Sequence, residues 1–367
     1  MAKFDLSNMA VDMFFPGNVL QQDDAGLPSA LVWIPAFKNS DVLTGGDDSI
    51  HPAFIVNGKQ IPGFYYSKYQ NVVYNGKAYS LPAENPTVEI NFDTASKYSE
   101  ANGYGWHMST AAEWAAIALW CKKNGCLPKG NNDHGKDTTE NEYKAIGVAF
   151  DDDGKTTKVA TGTGPLSWSH DRTPSGIWDL NGNIWEWQGG VRLVWGELQI
   201  LANNDAADPD NPQNSTSTCW KAINAADGSL VTPESKTTDT AVKTSGSTVK
   251  LDYVDSLWTF STGIGNAVDS YHSCAFVNVR CTESIGDAAK MLLRSLALLR
   301  DEDTSASAYE GDIVFLNNSQ AERCIYRGGY WNDGAQTGVF SIIGQNPRTH
   351  ATTAIGFRSA YIPDVSE

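Results

Sequence analysis

The chain has 367 residues, 41% of them hydrophobic and 19% charged, with a formal net charge of −16. That apolar fraction supplies a sizeable core and excludes global disorder. The acidity repels a phosphate backbone and no apolar run approaches the roughly 18 residues of a membrane span, so neither nucleic-acid binding nor membrane insertion is expected.

The N-terminal Met1-Ala2-Lys3-Phe4-Asp5-Leu6-Ser7-Asn8 carries no apolar core of a secretion signal, which predicts synthesis into a cytoplasm. Short strands are predicted over residues 30–35 and 64–69. Thr110 and Glu113 are spaced as a capping box, and Trp114, Ile117, Ala118 and Cys121 then recur at helical spacing, which predicts a helix from there. Residues 200–250 are rich in Asn, Asp, Ser, Thr and Pro and are expected to form long surface loops that bury little, at the heart of an insertion over 190–320. A second helix is predicted over 287–300, with Asp287 in its first turn and Arg300 at its end, as the helix dipole prefers. Further strands are predicted over 313–316 and 356–361. Short strands among long loops with two main helices indicate an α+β fold.

The six cysteines are sparse, and neither Cys121 with Cys126 nor Cys274 with Cys281 has the spacing of a zinc knuckle, so free buried thiols are expected. His107, His134 and His170 show no metal-ligand spacing, and no Ser-His-Asp set, P-loop or dinucleotide fingerprint is present.

Segments placed along most of the chain carry a family resemblance. Leu31-Val32-Trp33-Ile34-Pro35 and Ile61-Pro62-Gly63-Phe64-Tyr65-Tyr66-Ser67-Lys68 are similar to the opening strands of the formylglycine-generating-enzyme (sulfatase-modifying factor) family. Gly105-Trp106-His107-Met108-Ser109-Thr110-Ala111-Ala112-Glu113-Trp114 resembles its "RLPTEAEW", and Gly176-Ile177-Trp178-Asp179-Leu180-Asn181-Gly182-Asn183-Ile184-Trp185-Glu186-Trp187 its "GLYDMHGNVWEW". Tyr326-Arg327-Gly328-Gly329-Tyr330-Trp331 and Ile355-Gly356-Phe357-Arg358 resemble the closing "RGGSW" and "GFR". The resemblance implies one C-type-lectin-like domain over 1–367 with paired N- and C-terminal strands. Trp185 and Trp187 alternate with Glu186, so in an extended segment both indoles share one face, where packing is their expected role.

In that enzyme family paired cysteines between the two closing motifs hold copper and oxidise the substrate. Residues 327–358 contain no cysteine here, and Cys324 alone cannot supply a two-thiolate site, so no enzyme activity is expected. What remains resembles the variable proteins of diversity-generating retroelements, which display this segment as a ligand-binding surface diversified at template adenines in asparagine codons. Trp331, Gly334, Gly338, Val339, Phe340 and Arg348 keep the frame of that pattern. Such mutagenesis yields no Lys, Glu, Met, Trp or Gln. The segment has no Lys, Glu or Met and its single Trp is a frame residue, while Gln336 and Gln345 depart from the rule.

The resemblance thus implies a ligand-binding surface of Tyr330, Trp331, Asn332, Asp333, Gln336, Ile343, Gly344, His350, Thr352, Thr353 and Ala354, within a variable segment over 327–358. Its expected partner is a protein or glycan receptor on a target cell. Its expected setting is a phage tail or virion, the alternatives being a bacterial surface variable protein and, against the missing cysteines, an oxidase. Nothing in the sequence specifies an oligomeric state. Trp331-Asn332-Asp333 also spells the "WND" of sugar-binding lectins, but their Glu-Pro-Asn loop is missing; Glu84-Asn85-Pro86 has the wrong order and lies far upstream. No cofactor is required on this reading. A structural calcium ion is implied at Asp179, Gly182, Ile184 and Glu186, the positions that match the enzyme family's calcium ligands, an oxygen-only set.

Overall fold

The computed structural model describes residues 6–363 except Tyr143, Tyr271, Thr304 and Glu310. Five α-helices and several sheets are present among the described residues, a mixed α and β architecture. Helix Ala111–Lys123 opens with the reciprocal cap read in the sequence: Thr110 Oγ1 accepts from Glu113 N at 3.1 Å, and Glu113 Oε2 accepts from Thr110 N at 3.0 Å. Residues 111–119 are all buried, so this helix is enclosed on every side. It shares one apolar core with Phe64 and Tyr66 of a five-stranded sheet and with Leu193, Leu198 and Ile342 of a twelve-stranded sheet.

The smaller sheet runs Asn18–Gln22, Pro28–Pro35, Gly63–Ser67, Ser359–Tyr361, Trp106–Met108. First and last strands therefore share a sheet but do not pair with each other. Gly63–Ser67 stands between them, bonded to Pro28–Pro35 on one side and to Ser359–Tyr361 on the other. The strand predicted over 356–361 is two: Ile355–Phe357 joins the larger sheet, Ser359–Tyr361 the smaller, and Arg358 marks the crossing.

The larger sheet grows outward from Trp185–Val194, with Glu197–Ile200, Lys250–Val254 and Leu257–Ser261 to one side and Arg323–Arg327, Ile342–Asn346 and Ile313–Leu316 to the other. Most of its strands come from residues 190–320. The expectation that 200–250 bury little is wrong: Trp220, Ala222, Ile223 and Val249 are core residues, and Gln199 pairs with Ala222 and Glu197 with Lys250. A buried carboxylate ties this polar stretch down. Glu197 Oε1 accepts from Glu234 N at 3.0 Å and Thr248 Oγ1 at 2.6 Å, and its Oε2 from Ser235 N at 2.9 Å and Gln199 Nε2 at 2.8 Å. Helix Asp287–Ser295 ends short of the predicted residue 300 because Ala297 turns left-handed at φ 47° and the next carbonyls are taken by a side chain, Arg327. No helix among the described residues is long and apolar enough to cross a membrane.

Candidate ligand-binding surface

The surface is organised by the start of strand Trp185–Val194. Glu186 pairs antiparallel with Arg327, Trp185 pairs parallel with Ile355, and Trp185 N donates to Ala354 O at 2.8 Å. Chain leaving at Gly328 and chain returning at Ala354 thus flank the same strand end. Both indoles of the Trp185/Trp187 pair lie in one cluster with Tyr326 and Phe357, as the alternation predicts, and Trp187 stands edge-on to Tyr326 with centroids 4.9 Å apart.

Three buried arginines frame the segment. Arg327 donates to Leu296 O at 3.1 Å and to Ala297 O at 3.2 Å, capping the preceding helix, and burial holds its pKa down to about 9 although the Asp312 charge acts the other way. Arg358 Nε donates to Glu186 Oε2 at 2.8 Å, and its other nitrogens reach the carbonyls of Ser67, Lys68 and Trp178. Arg348 grips Glu322 bidentately at 2.7 and 2.9 Å and Asp93 at 2.6 Å, pinning the middle. Gly328 and Gly329 take φ 95° and 89°, and a Cβ on Gly329 would come within 2.3 Å of the Thr337 side chain, so the pair is required by the turn itself.

Of the residues expected to contact a ligand, Asn332, Gln336 and Thr353 are exposed, and Trp331, His350, Thr352 and Ala354 are half-buried. Tyr330 is half-buried too, its ring 5.3 Å from Trp331 and packed on the Trp185 cluster, so it is less accessible than expected. Asp333 accepts from Tyr330 N at 3.1 Å and from the Trp185 side chain; desolvation nevertheless pushes its carboxyl up to about 7. Ile343 and Gly344 are buried in strand Ile342–Asn346, and a Cβ on Gly344 would meet Leu316 at 2.7 Å. They are interior residues, not surface ones. The two β-branched residues at 342 and 343 favour the strand.

Loop residues that sequence reasoning missed support this surface from beneath. The His134 ring lies tilted against Trp331 with centroids 4.9 Å apart, its backbone N–H donates to Trp331 O at 3.0 Å, and Gly334 N donates to Asn132 O at 2.9 Å. The Asn131-Asn132-Asp133-His134-Gly135 run signals a turn, but nothing in it signals which distant chain it carries.

Asp179, Gly182, Ile184 and Glu186 do converge. The carbonyl oxygens of Asp179, Gly182 and Ile184 and Glu186 Oε1 surround Gln70 Nε2 at 3.1, 3.4, 3.2 and 2.9 Å. The Asp179 carboxylate turns away, with Oδ2 accepting from Gly162 N at 2.8 Å and Oδ1 buried without a partner. Oxygen donors suit calcium, but an amide nitrogen stands at their centre, so the residues as arranged do not fit the ion. Among the described residues no group of three or more His, Cys, Asp and Glu side chains could hold a metal. Cys324 is fully enclosed, and burial pushes its thiol up to about 12.

Residues 42–195 match the model of the sulfatase-modifying factor enzyme 1-like domain family, a span that takes in the helix cap and the Trp185 strand but stops before the Arg327 segment. No curated protein matches the chain. Among solved structures, the chain is similar to PvdO from Pseudomonas aeruginosa at 13% identity, covering 94% of this chain and 98% of that one, with a TM-score of 0.36. It is similar to Treponema denticola variable protein 1 at 11% identity, covering 95% and 100%, with a TM-score of 0.34. The Major Tropism Determinant P3c variant matches at 9% identity, covering 90% of this chain and 62% of that one, with a TM-score of 0.29.

Proposed function

We propose that the chain is a non-enzymatic binding protein that presents two stretches, residues 330–336 and 350–354, to a protein or glycan receptor on a target cell. One observation carries this reading: both stretches leave the scaffold at the Trp185 strand end, while the backbone around them is fixed by Arg327, Arg348 and Arg358. Exposed side chains on a rigid frame lose little freedom at encounter. Trp331 and the accessible edge of Tyr330 are the aromatic anchors, and Asn332, Gln336, His350, Thr352 and Thr353 supply adaptable polar contacts. Against an oxidase reading, residues 327–358 hold no cysteine, and the neighbouring Cys324 is buried with its thiol pushed up to about 12. The resemblance of residues 327–358 to retroelement variable proteins makes a phage tail the natural setting.

The test is a cell-binding assay. Fluorescently labelled protein is titrated onto a panel of bacterial cells beside a variant carrying Trp331→Ala, Asn332→Ala and Thr353→Ala. Loss of an aromatic anchor alone costs about 2 kcal/mol or more, on the order of thirtyfold in affinity. Binding that survives the triple substitution would remove these stretches from the site. Sequencing the locus gives a second check: a reverse transcriptase gene beside a near-copy of codons 327–358, differing at adenines, is expected.

A further inference from the structure

The loop 179–186 is shaped as a cradle for a positive centre. Asp179, Gly182 and Asn183 take φ 61°, 76° and 66°, and these left-handed residues turn the carbonyls of Asp179, Gly182 and Ile184 to one point, where Glu186 Oε1 joins them. Four oxygens at a point are the donor set of a hard cation. The group found there is the side-chain amide of Gln70, which is wholly buried. We propose that the Gln70 carboxamide is a built-in replacement for a divalent cation, so that this chain holds the loop in shape without metal.

Three observations support the substitution. The distances to Nε2, from 2.9 to 3.4 Å, are hydrogen-bond lengths, whereas calcium draws oxygens in to about 2.3–2.6 Å. The orientation of the amide is set from behind, because Gln70 Oε1 accepts from Asn183 Nδ2 at 2.8 Å. Reversing it would face an oxygen toward four other oxygens. The charge is already balanced, since Glu186 Oε2 takes Arg358 Nε at 2.8 Å, and a dication entering here would find no uncompensated carboxylate among its four donors to offset its dehydration. The Asn183 carboxamide extends the arrangement: its Oδ1 accepts from Asn131 Nδ2 at 3.1 Å and from Val159 N at 2.8 Å, so the centre is tied by amides to neighbouring loops. The Asp179 Oδ1 atom, buried and unpartnered, is the one feature that a cation would explain better, and it enters the test by name.

The experiment compares chelator-stripped wild-type protein with Gln70→Glu and Asp179→Asn. Each is melted with millimolar calcium and with EDTA, and each is titrated with Tb³⁺, whose emission is sensitised by a nearby indole such as Trp185. Wild type is expected to melt at the same temperature in both conditions and to give no sensitised emission. Gln70→Glu, which places a second carboxylate where the amide stood, is expected to melt several degrees lower in EDTA, to recover with calcium, and to sensitise Tb³⁺. A wild-type midpoint that rises with calcium, or wild-type emission abolished by Asp179→Asn, would overturn the proposal. So would a folded Gln70→Glu indifferent to calcium. If Gln70→Glu does not fold, the wild-type measurements decide alone.

Discussion

Arg358 and Glu186 form an ion pair of 2.8 Å in which neither side chain reaches solvent, at the point where the chain passes from the larger sheet to the smaller. The other guanidinium nitrogens are spent on three backbone carbonyls, so the pair is both a charge balance and a clasp between sheets. Arg358→Met would leave the Glu186 carboxylate buried and unpaired, with an expected loss of about 3–5 kcal/mol. Urea unfolding measures it. The double variant Glu186→Gln with Arg358→Met is expected to recover part of that loss, and a double variant no better than the single would refute the charge argument.

Trp187 is fully buried, donates Nε1 to Ile90 O at 2.8 Å and stands edge-on to Phe92 and Tyr326. Trp187→Ala or Phe357→Ala is expected to cost about 3–5 kcal/mol through the cavity left behind. Asn332→Ala and Thr353→Ala, both exposed, are expected to stay within about 0.5 kcal/mol of wild type by the same denaturation. Tyr330→Ala falls between these extremes because half of that ring is core.

Asp333 gives the surface a pH dependence. Its carboxyl is pushed by desolvation from the ordinary 3.8 up to about 7 in the folded protein. The native state therefore binds this proton more tightly than the unfolded chain. Its contribution is fully present below the unfolded value near 4 and is lost as pH rises through about 7. Asp179, pushed up to about 6, acts in the same direction. The melting midpoint of wild type is expected to fall between pH 4 and 7 more steeply than that of Asp333→Asn. Parallel profiles would show that Asp333 stays ionised across this range.

Incubation with Cu(I) and a cysteine-containing sulfatase peptide is expected to yield no formylglycine by mass spectrometry. A thiol reagent applied to native protein should reach the half-buried Cys219 and Cys281 before Cys324, whose thiol is pushed up to about 12. Early modification of Cys324 would reopen the question of its chemistry.

What was legible in the sequence was local. The Thr110–Glu113 cap and the shared face of Trp185 and Trp187 depend on spacing of a few residues, and both appear in the structure as read. Ile342–Asn346 was missed because two β-branched residues within a glycine- and polar-rich stretch do not alternate long enough to announce a strand. The core contribution of 200–250 was hidden in the same way: Ala222, Ile223 and Val249 are short apolar pieces set among polar residues, and Ala222 and Ile223 are drawn into the sheet by pairing with Gln199, Val231 and Leu230. Arg327, Arg348 and Arg358 were visible as motif letters, yet their partners lie between 26 and 172 residues away for Glu322 and Glu186, so only folding reveals what they hold. The four positions named for calcium were brought together as the resemblance implied, whereas the Gln70 amide at their centre was not anticipated, because a glutamine more than a hundred residues upstream gives no local sign of its role.

The clamp at Arg348 and the strand at Ile342–Asn346 divide the displayed segment into two short loops, each closed on the sheet at both ends. Loop-closure entropy is met separately for each, and it grows only with the logarithm of loop length. A residue exchanged at 332 or 336 therefore demands no compensating exchange at 352 or 353. The two loops are thus shaped independently of each other, and the cost of ordering the chain is that of two separate closures.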